Sequence, residues 1–113
     1  MATGNDREHA MARIERRDAR SFGVSGSMTF DSVTALWRES DDIFSNDSLL
    51  EIDLRDVTHT DSAGLALLVE WLREAGGRGG RIEFLNLPAQ MVALADASNL
   101  QPVLMGKRGN ATT

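Results

Sequence analysis

His59, Asp61 and Ser62 lie close together and carry the side-chain types of a hydrolytic triad. Such a triad needs a base against the nucleophile and a carboxylate behind the base, an arrangement normally assembled from separate elements. Near-adjacent residues do not satisfy that geometry, and no Gly-x-Ser-x-Gly elbow surrounds Ser62. Asp53, Asp56 and Asp61 are three nearby carboxylates that would attract a cation, but their spacing is not that of a calcium loop. Gly76, Gly77, Gly79 and Gly80 around Arg78 have the composition of a phosphate cradle. They follow an expected helix and precede an expected strand, the reverse of the phosphate-loop order, and no Gly-Lys-Ser/Thr follows. These residues therefore predict no catalytic, cofactor-binding or metal-binding role, and the chain reads as a non-enzyme. For Ser62 two readings stay open. At the start of a helix it, or Asp61, can accept a hydrogen bond from an unpaired backbone N–H. A phosphate on Ser62 would also be favoured by the helix end, although Asp61 would oppose it.

The elements that must position these residues follow from periodicity. Phe22, Val24 and Met28 alternate with small or polar residues, as in a half-buried strand, and residues 12–18 are a weaker candidate for its hairpin partner. Asp31 or Ser32 can cap a helix whose apolar side carries Val33, Leu36, Trp37 and Phe44. Asn46-Asp47-Ser48 reads as a turn. Leu50, Ile52 and Leu54 alternate with Glu51, Asp53 and Arg55, which predicts a strand with one buried and one wet face. A short polar connection then leads into a helix from Asp61-Ser62 to about Ala75, ended by the glycines. Residues 81–87 read as a further strand. Pro88 suits the start of a last helix with Met91, Leu94 and Ala95 inward. Asn99 suits its left-handed C′ position, with Leu100 as the accompanying apolar contact.

Strands alternating with helices imply parallel pairing through right-handed crossovers. Because the strands alternate rather than run continuously apolar, one sheet face is expected to stay partly open. The fold class is thus α/β, a single domain over residues 12–104 with a mixed β-sheet and helices mainly on one face. Residues 1–11 are expected to be a disordered segment and 105–113 a flexible tail. The 113 residues suit one domain, and their 42% hydrophobic content is enough for a core. A net charge of −5 argues against nucleic-acid backbone binding. No apolar run is long enough to span a bilayer or to be a signal peptide's core, and the chain has no cysteine. The expected location is cytoplasmic, without direct membrane insertion.

Asp61-Ser62-Ala63-Gly64-Leu65, following a strand that contains Ile52-Asp53-Leu54, resembles the signature of STAS domains. The similarity covers roughly residues 12–104. The run Gly64-Leu65-Ala66-Leu67-Leu68 and the helix Met91-Val92-Ala93-Leu94-Ala95 ending at Asn99-Leu100 look most like the MlaB-type branch. That resemblance implies a non-catalytic accessory subunit without cofactors. It would bind the MlaF-like cytoplasmic ATPase subunit of a phospholipid-transporting ABC complex at the inner membrane and support that complex's assembly and activity. The alternative implied by the wider family is an anti-sigma-factor antagonist controlled by phosphorylation of Ser62. In isolation the chain is expected to be a monomer.

On a helical wheel of residues 63–75, Leu65, Leu68, Val69 and Leu72 share one side, assigned to the core. Ala63, Leu67, Glu70, Trp71 and Glu74 fall on the other edge, where Leu67 and Trp71 are neighbours rimmed by acid. Trp anchors are enriched at interface centres; the alternative reading is that Trp71 flanks the core and packs under a loop. The STAS resemblance implies that Ser62 lies near the partner interface, and with this stripe the expected partner-binding set is His59, Asp61, Ser62, Ala63, Leu67, Glu70, Trp71 and Glu74.

Overall fold

The structure, a computed structural model, describes residues 12–43 and 49–105. The expectations for residues 1–11, for Phe44, for the Asn46–Ser48 turn and for residues 106–113 lie outside them. The elements run β1 (Arg13–Arg16), β2 (Ser21–Met28), α1 (Val33–Ile43), β3 (Leu49–Thr60), α2 (Ser62–Gly77), β4 (Arg81–Leu85), α3 (Ala89–Ala97) and α4 (Gln101–Met105). The sheet order is β1-β2-β3-β4, antiparallel between β1 and β2 and parallel thereafter. This is the mixed sheet and α/β class expected from the pattern.

The hairpin between β1 and β2 forms because Asp18 folds onto its own backbone. Its carboxylate accepts from the N–H groups of Arg20 and Ser21, both at 3.0 Å, a local turn that Asp favours. The Arg20 N–H also lowers the Asp18 pKa. At the sheet edge, β1 exposes Arg13, Glu15 and Arg16, charges that discourage pairing with another chain.

Register separates the two faces of the sheet. Phe22 pairs with Ile52 and Ile52 with Phe84, while Leu50 pairs with Ile82. Together with Val24 and Leu54, these residues form an apolar face that α1, α2 and α3 cover. On the opposite face Ser21, Glu51 and Glu83 form one row and Gly23, Asp53 and Leu85 the next.

An ion pair crosses that second row. Arg17 donates to Asp53 at 2.9 Å, and a Cβ on Gly23 would overlap the Arg17 guanidinium. The missing side chain at Gly23 is therefore what lets Arg17 lie across β2 and reach β3. Asp53 also accepts from the Asn86 amide at 2.9 Å and the Arg55 N–H at 2.9 Å. Its side chain is only 12% exposed, so burial alone would raise its pKa. The Asn86, Arg55 and Arg17 donors prevail and bring the pKa from 3.8 down to about 2.

Three features differ from the sequence reading. The polar stretch Asp56–Thr60 is strand rather than connection, because β2 continues to pair with it and Val57 and Thr60 turn inward. Ser32 does not cap α1. Its hydroxyl accepts from the Thr29 N–H at 2.9 Å and donates to the Ser27 carbonyl at 2.6 Å, bracing the loop before the helix. The short α4 follows α3 with only the cap between them. Asn99, at φ 58°, and Leu100 donate to the Asp96 and Ala95 carbonyls at 3.1 and 2.7 Å, which is the left-handed cap expected at these two residues.

The Asp53 cluster fixes a pH dependence. A folded pKa of about 2 below an ordinary 3.8 stabilises the fold fully above pH 3.8, and this contribution is lost as pH falls through about 2. Asp53→Asn should cost about 1–3 kcal/mol near neutral pH, the scale of hydrogen bonds to a charged group. In urea unfolding at a series of pH values, the gap between variant and wild type should close as the pH approaches 2.

Candidate functional site

A single residue, Asp61, separates the end of β3 from the start of α2. Its extended backbone makes it the N-cap, and Oδ1 accepts from the N–H groups of Ala63 at 2.9 Å and Gly64 at 3.3 Å. Oδ2 reaches the other way and accepts from the Phe30 N–H at 3.1 Å. One carboxylate thus joins the first turn of α2 to the loop between β2 and α1. Behind it the buried Thr60 donates its N–H to Gln90 Oε1 of α3 at 3.2 Å. A Cβ on Gly64 would overlap Thr60 Oγ1 and the Met28 carbonyl oxygen. Asp61 and Gly64 are therefore the residues that let α2 start pressed against the end of β2.

The Ser62 side chain is exposed at this corner, and so is that of His59. Neither makes a side-chain hydrogen bond to the described residues, and both Asp61 oxygens face backbone N–H groups. Among the described residues no base is bonded to Ser62, so they do not form the arrangement that activates a hydroxyl nucleophile. Capping falls to Asp61, which leaves the Ser62 hydroxyl free to meet another molecule. Nor do the three carboxylates converge: Asp53 is held by the Arg17 cluster and Asp61 by the cap. Among the described residues no group of three or more acidic or histidine side chains is placed to hold a metal ion.

The structure brings His59, Asp61, Ser62 and Ala63 together at the β3–α2 junction. Glu70 is exposed further along α2, paired to Arg73 at 3.1 Å, and Glu74 is half-buried. The expected Leu67–Trp71 surface stripe is overturned. Trp71 is 1% exposed and Leu67 5%. The indole Nε1 donates to Ser40 Oγ of α1 at 3.0 Å, within the core. At about 100° per residue, Gly64, Leu68, Trp71 and Ala75 centre the buried arc, with Leu67 and Leu65 at its edges. That arc is broad because α2 contacts α1 on one side and α3 on the other, as well as the sheet. The sequence wheel places the core side about 80° away, a difference that a leucine-rich helix does not reveal by itself.

Sequence reasoning also passed over Phe30, whose side chain is 78% exposed. Its only sequence signal is an aromatic residue within the turn-forming run Thr29-Phe30-Asp31-Ser32. Its backbone N–H is bonded to the carboxylate of Asp61, the residue before Ser62.

Comparison with known proteins bears on the family and the fold. The family described as Mlab, STAS domain matches residues 13–105. The intermembrane phospholipid transport system binding protein MlaB of Haemophilus influenzae is 29% identical over 90 residues, covering 76% of this chain and 86% of that protein. Among solved structures, the anti-sigma factor antagonist SpoIIAA in its unphosphorylated form superposes with a TM-score of 0.64 at 20% identity. The match covers 80% of this chain and 83% of SpoIIAA. A crystal structure of Mglu superposes with a TM-score of 0.56 at 22% identity, over 68% of this chain and 20% of the Mglu chain. Both superpositions speak to the fold.

The buried indole and the exposed serine should respond oppositely to truncation. Trp71→Ala should cost about 3–5 kcal/mol, as for an aromatic removed from a core. Ser62→Ala should stay within about 0.5 kcal/mol of wild type, as for a surface substitution. Urea denaturation followed by far-UV circular dichroism measures both. Equal stabilities for the two variants would contradict the assigned burial.

Proposed function

The chain belongs to the STAS domain family in its MlaB branch, and from that premise we propose that it is a non-catalytic subunit of a phospholipid-transporting ABC complex. In this reading it docks on the cytoplasmic ATPase subunit, supports assembly and activity of the complex, and lies at the inner membrane through that partner. The observation that carries the proposal is the exposed corner at the start of α2. Ser62, His59 and Phe30 face solvent there on a backbone that Asp61 and Gly64 hold rigid. Rigid display of a few side chains lowers the ordering cost of association, which is what a docking module requires. Among the described residues no helix is long and apolar enough to cross a membrane. Attachment through a partner accounts for a membrane role without such a helix.

The exposed Ser62 hydroxyl also supports the second reading, an anti-sigma-factor antagonist switched by phosphorylation. Asp61 weighs against it. The Ala63 and Gly64 N–H groups that would otherwise receive a phosphate already bond that carboxylate, and the two negative charges would repel.

Co-expression of the tagged chain with the ATPase and permease of a phospholipid ABC transporter from the same organism tests the first reading. Recovery of the ATPase in a stoichiometric complex, with raised ATP hydrolysis over the ATPase alone, is the expected outcome. Failure to form that complex, together with capture of a serine kinase that phosphorylates Ser62, would replace it with the second reading.

A further inference from the structure

Resting on that functional reading, we propose that Phe30 is the anchor of the docking surface, inserting its ring into an apolar pocket of the ATPase subunit rimmed by Lys or Arg. Asp61 is the positioning residue that holds it there.

The first support is the contrast between the ring and its backbone. The side chain is 78% exposed, yet several hydrogen bonds hold the turn that carries it. The Phe30 N–H donates to Asp61 Oδ2 at 3.1 Å and the Thr29 N–H to Ser32 Oγ at 2.9 Å. Ser32 Oγ in turn donates to the Ser27 carbonyl at 2.6 Å, and the Ser32 and Val33 N–H groups donate to the Thr29 carbonyl at 2.8 and 3.0 Å. An aromatic ring held out of the core by so constrained a turn has little freedom to lose on binding, and aromatic residues of this kind dominate interface energetics.

The second support is the choice of Asp at position 61. Asn caps a helix as well as Asp does. Only a carboxylate has a second oxygen that accepts from the Phe30 N–H while the first serves α2. The same bond makes Phe30 continuous with Ser62, the next residue after Asp61.

Charge identifies the pocket. Asp31, adjacent to the ring in sequence, is exposed, Asp61 lies behind the ring's backbone, and the chain carries a net −5. The complementary rim is cationic, and an anionic bilayer would be repelled from the same spot.

The test is isothermal titration of the full chain into the purified ATPase subunit of the same organism, with Phe30→Ala, Phe30→Trp and Asp61→Asn compared with wild type. Phe30→Ala should weaken Kd at least about tenfold with an unchanged melting temperature, since no core contact is lost. Phe30→Trp should remain within about threefold of wild type, because the pocket accepts an aromatic ring. Asp61→Asn should fall between them, because its amide group has only one acceptor oxygen where the carboxylate has two. Wild-type affinity in Phe30→Ala would overturn the anchor while leaving the functional reading intact, whereas no binding by wild type would overturn that reading itself. A lowered melting temperature in Phe30→Ala would make the ring structural. Phe30-dependent self-association in size-exclusion chromatography, or Phe30-dependent sedimentation with phosphatidylglycerol vesicles, would give it a different occupant. Each of these also overturns the proposal.

Discussion

The Asp61 carboxylate is the interaction on which the exposed corner depends. Strand β3 enters helix α2 through one residue, so the first turn of the helix has no spare chain with which to satisfy its open N–H groups. Asp61 bonds two of them with one oxygen and uses the other to hold the loop after β2. Gly64 completes the arrangement sterically, since the helix lies so close to the Met28 carbonyl that a methyl group would not fit between them. The two requirements reinforce each other. The cap sets where the helix begins, and the glycine sets how near to β2 it can lie.

A second carboxylate organises the opposite face of the sheet by similar physics. Asp53 is buried on a polar face and collects donors from Asn86, Arg55 and Arg17, which together outweigh the burial that would otherwise favour its neutral form. Here too a glycine makes the approach possible, because Arg17 lies over Gly23. The hairpin turn, the central strand and the residue after β4 are thereby joined at one group. This cluster lies on the face away from the helices, where it ties separate segments of the chain together.

The division of labour between Asp61 and Ser62 bears on function. Either side chain could have capped α2, and the two choices have different consequences. With Asp61 in that role, the exposed serine hydroxyl has no partner among the described residues, and a carboxylate already faces the helix N-terminus. On the proposed reading this surface contacts another protein, and the Asp61 carboxylate would repel a phosphate on Ser62. The burial of Trp71 moves the centre of the proposed contact away from the middle of α2 and towards its first residue, where Phe30 extends the surface across the cap.

Much of this was legible in the sequence. Period-two alternation in β2 and β3 identified which residues face the helices, because a strand presents successive side chains to opposite sides. Asp61-Ser62 marked the start of α2, and Asn99-Leu100 the end of α3, because caps depend on side chains and backbone conformations available at only a few residue types. The anti-parallel partner 12–18 was visible only faintly, since its strand is short, exposed and charged. The tertiary structure alone decided the rest. The polar segment Asp56–Thr60 became strand because β2 supplied a long-range pairing that local composition does not encode. Trp71 became core because α1 brought Ser40 to its indole nitrogen, and a helix with leucines over half its circumference does not by itself specify which half its neighbours will cover. Phe30 became surface for the converse reason. Its hydrophobicity calls for burial, but the bonds from Asp61 and Ser32 fix its backbone in a turn from which the ring does not reach the core.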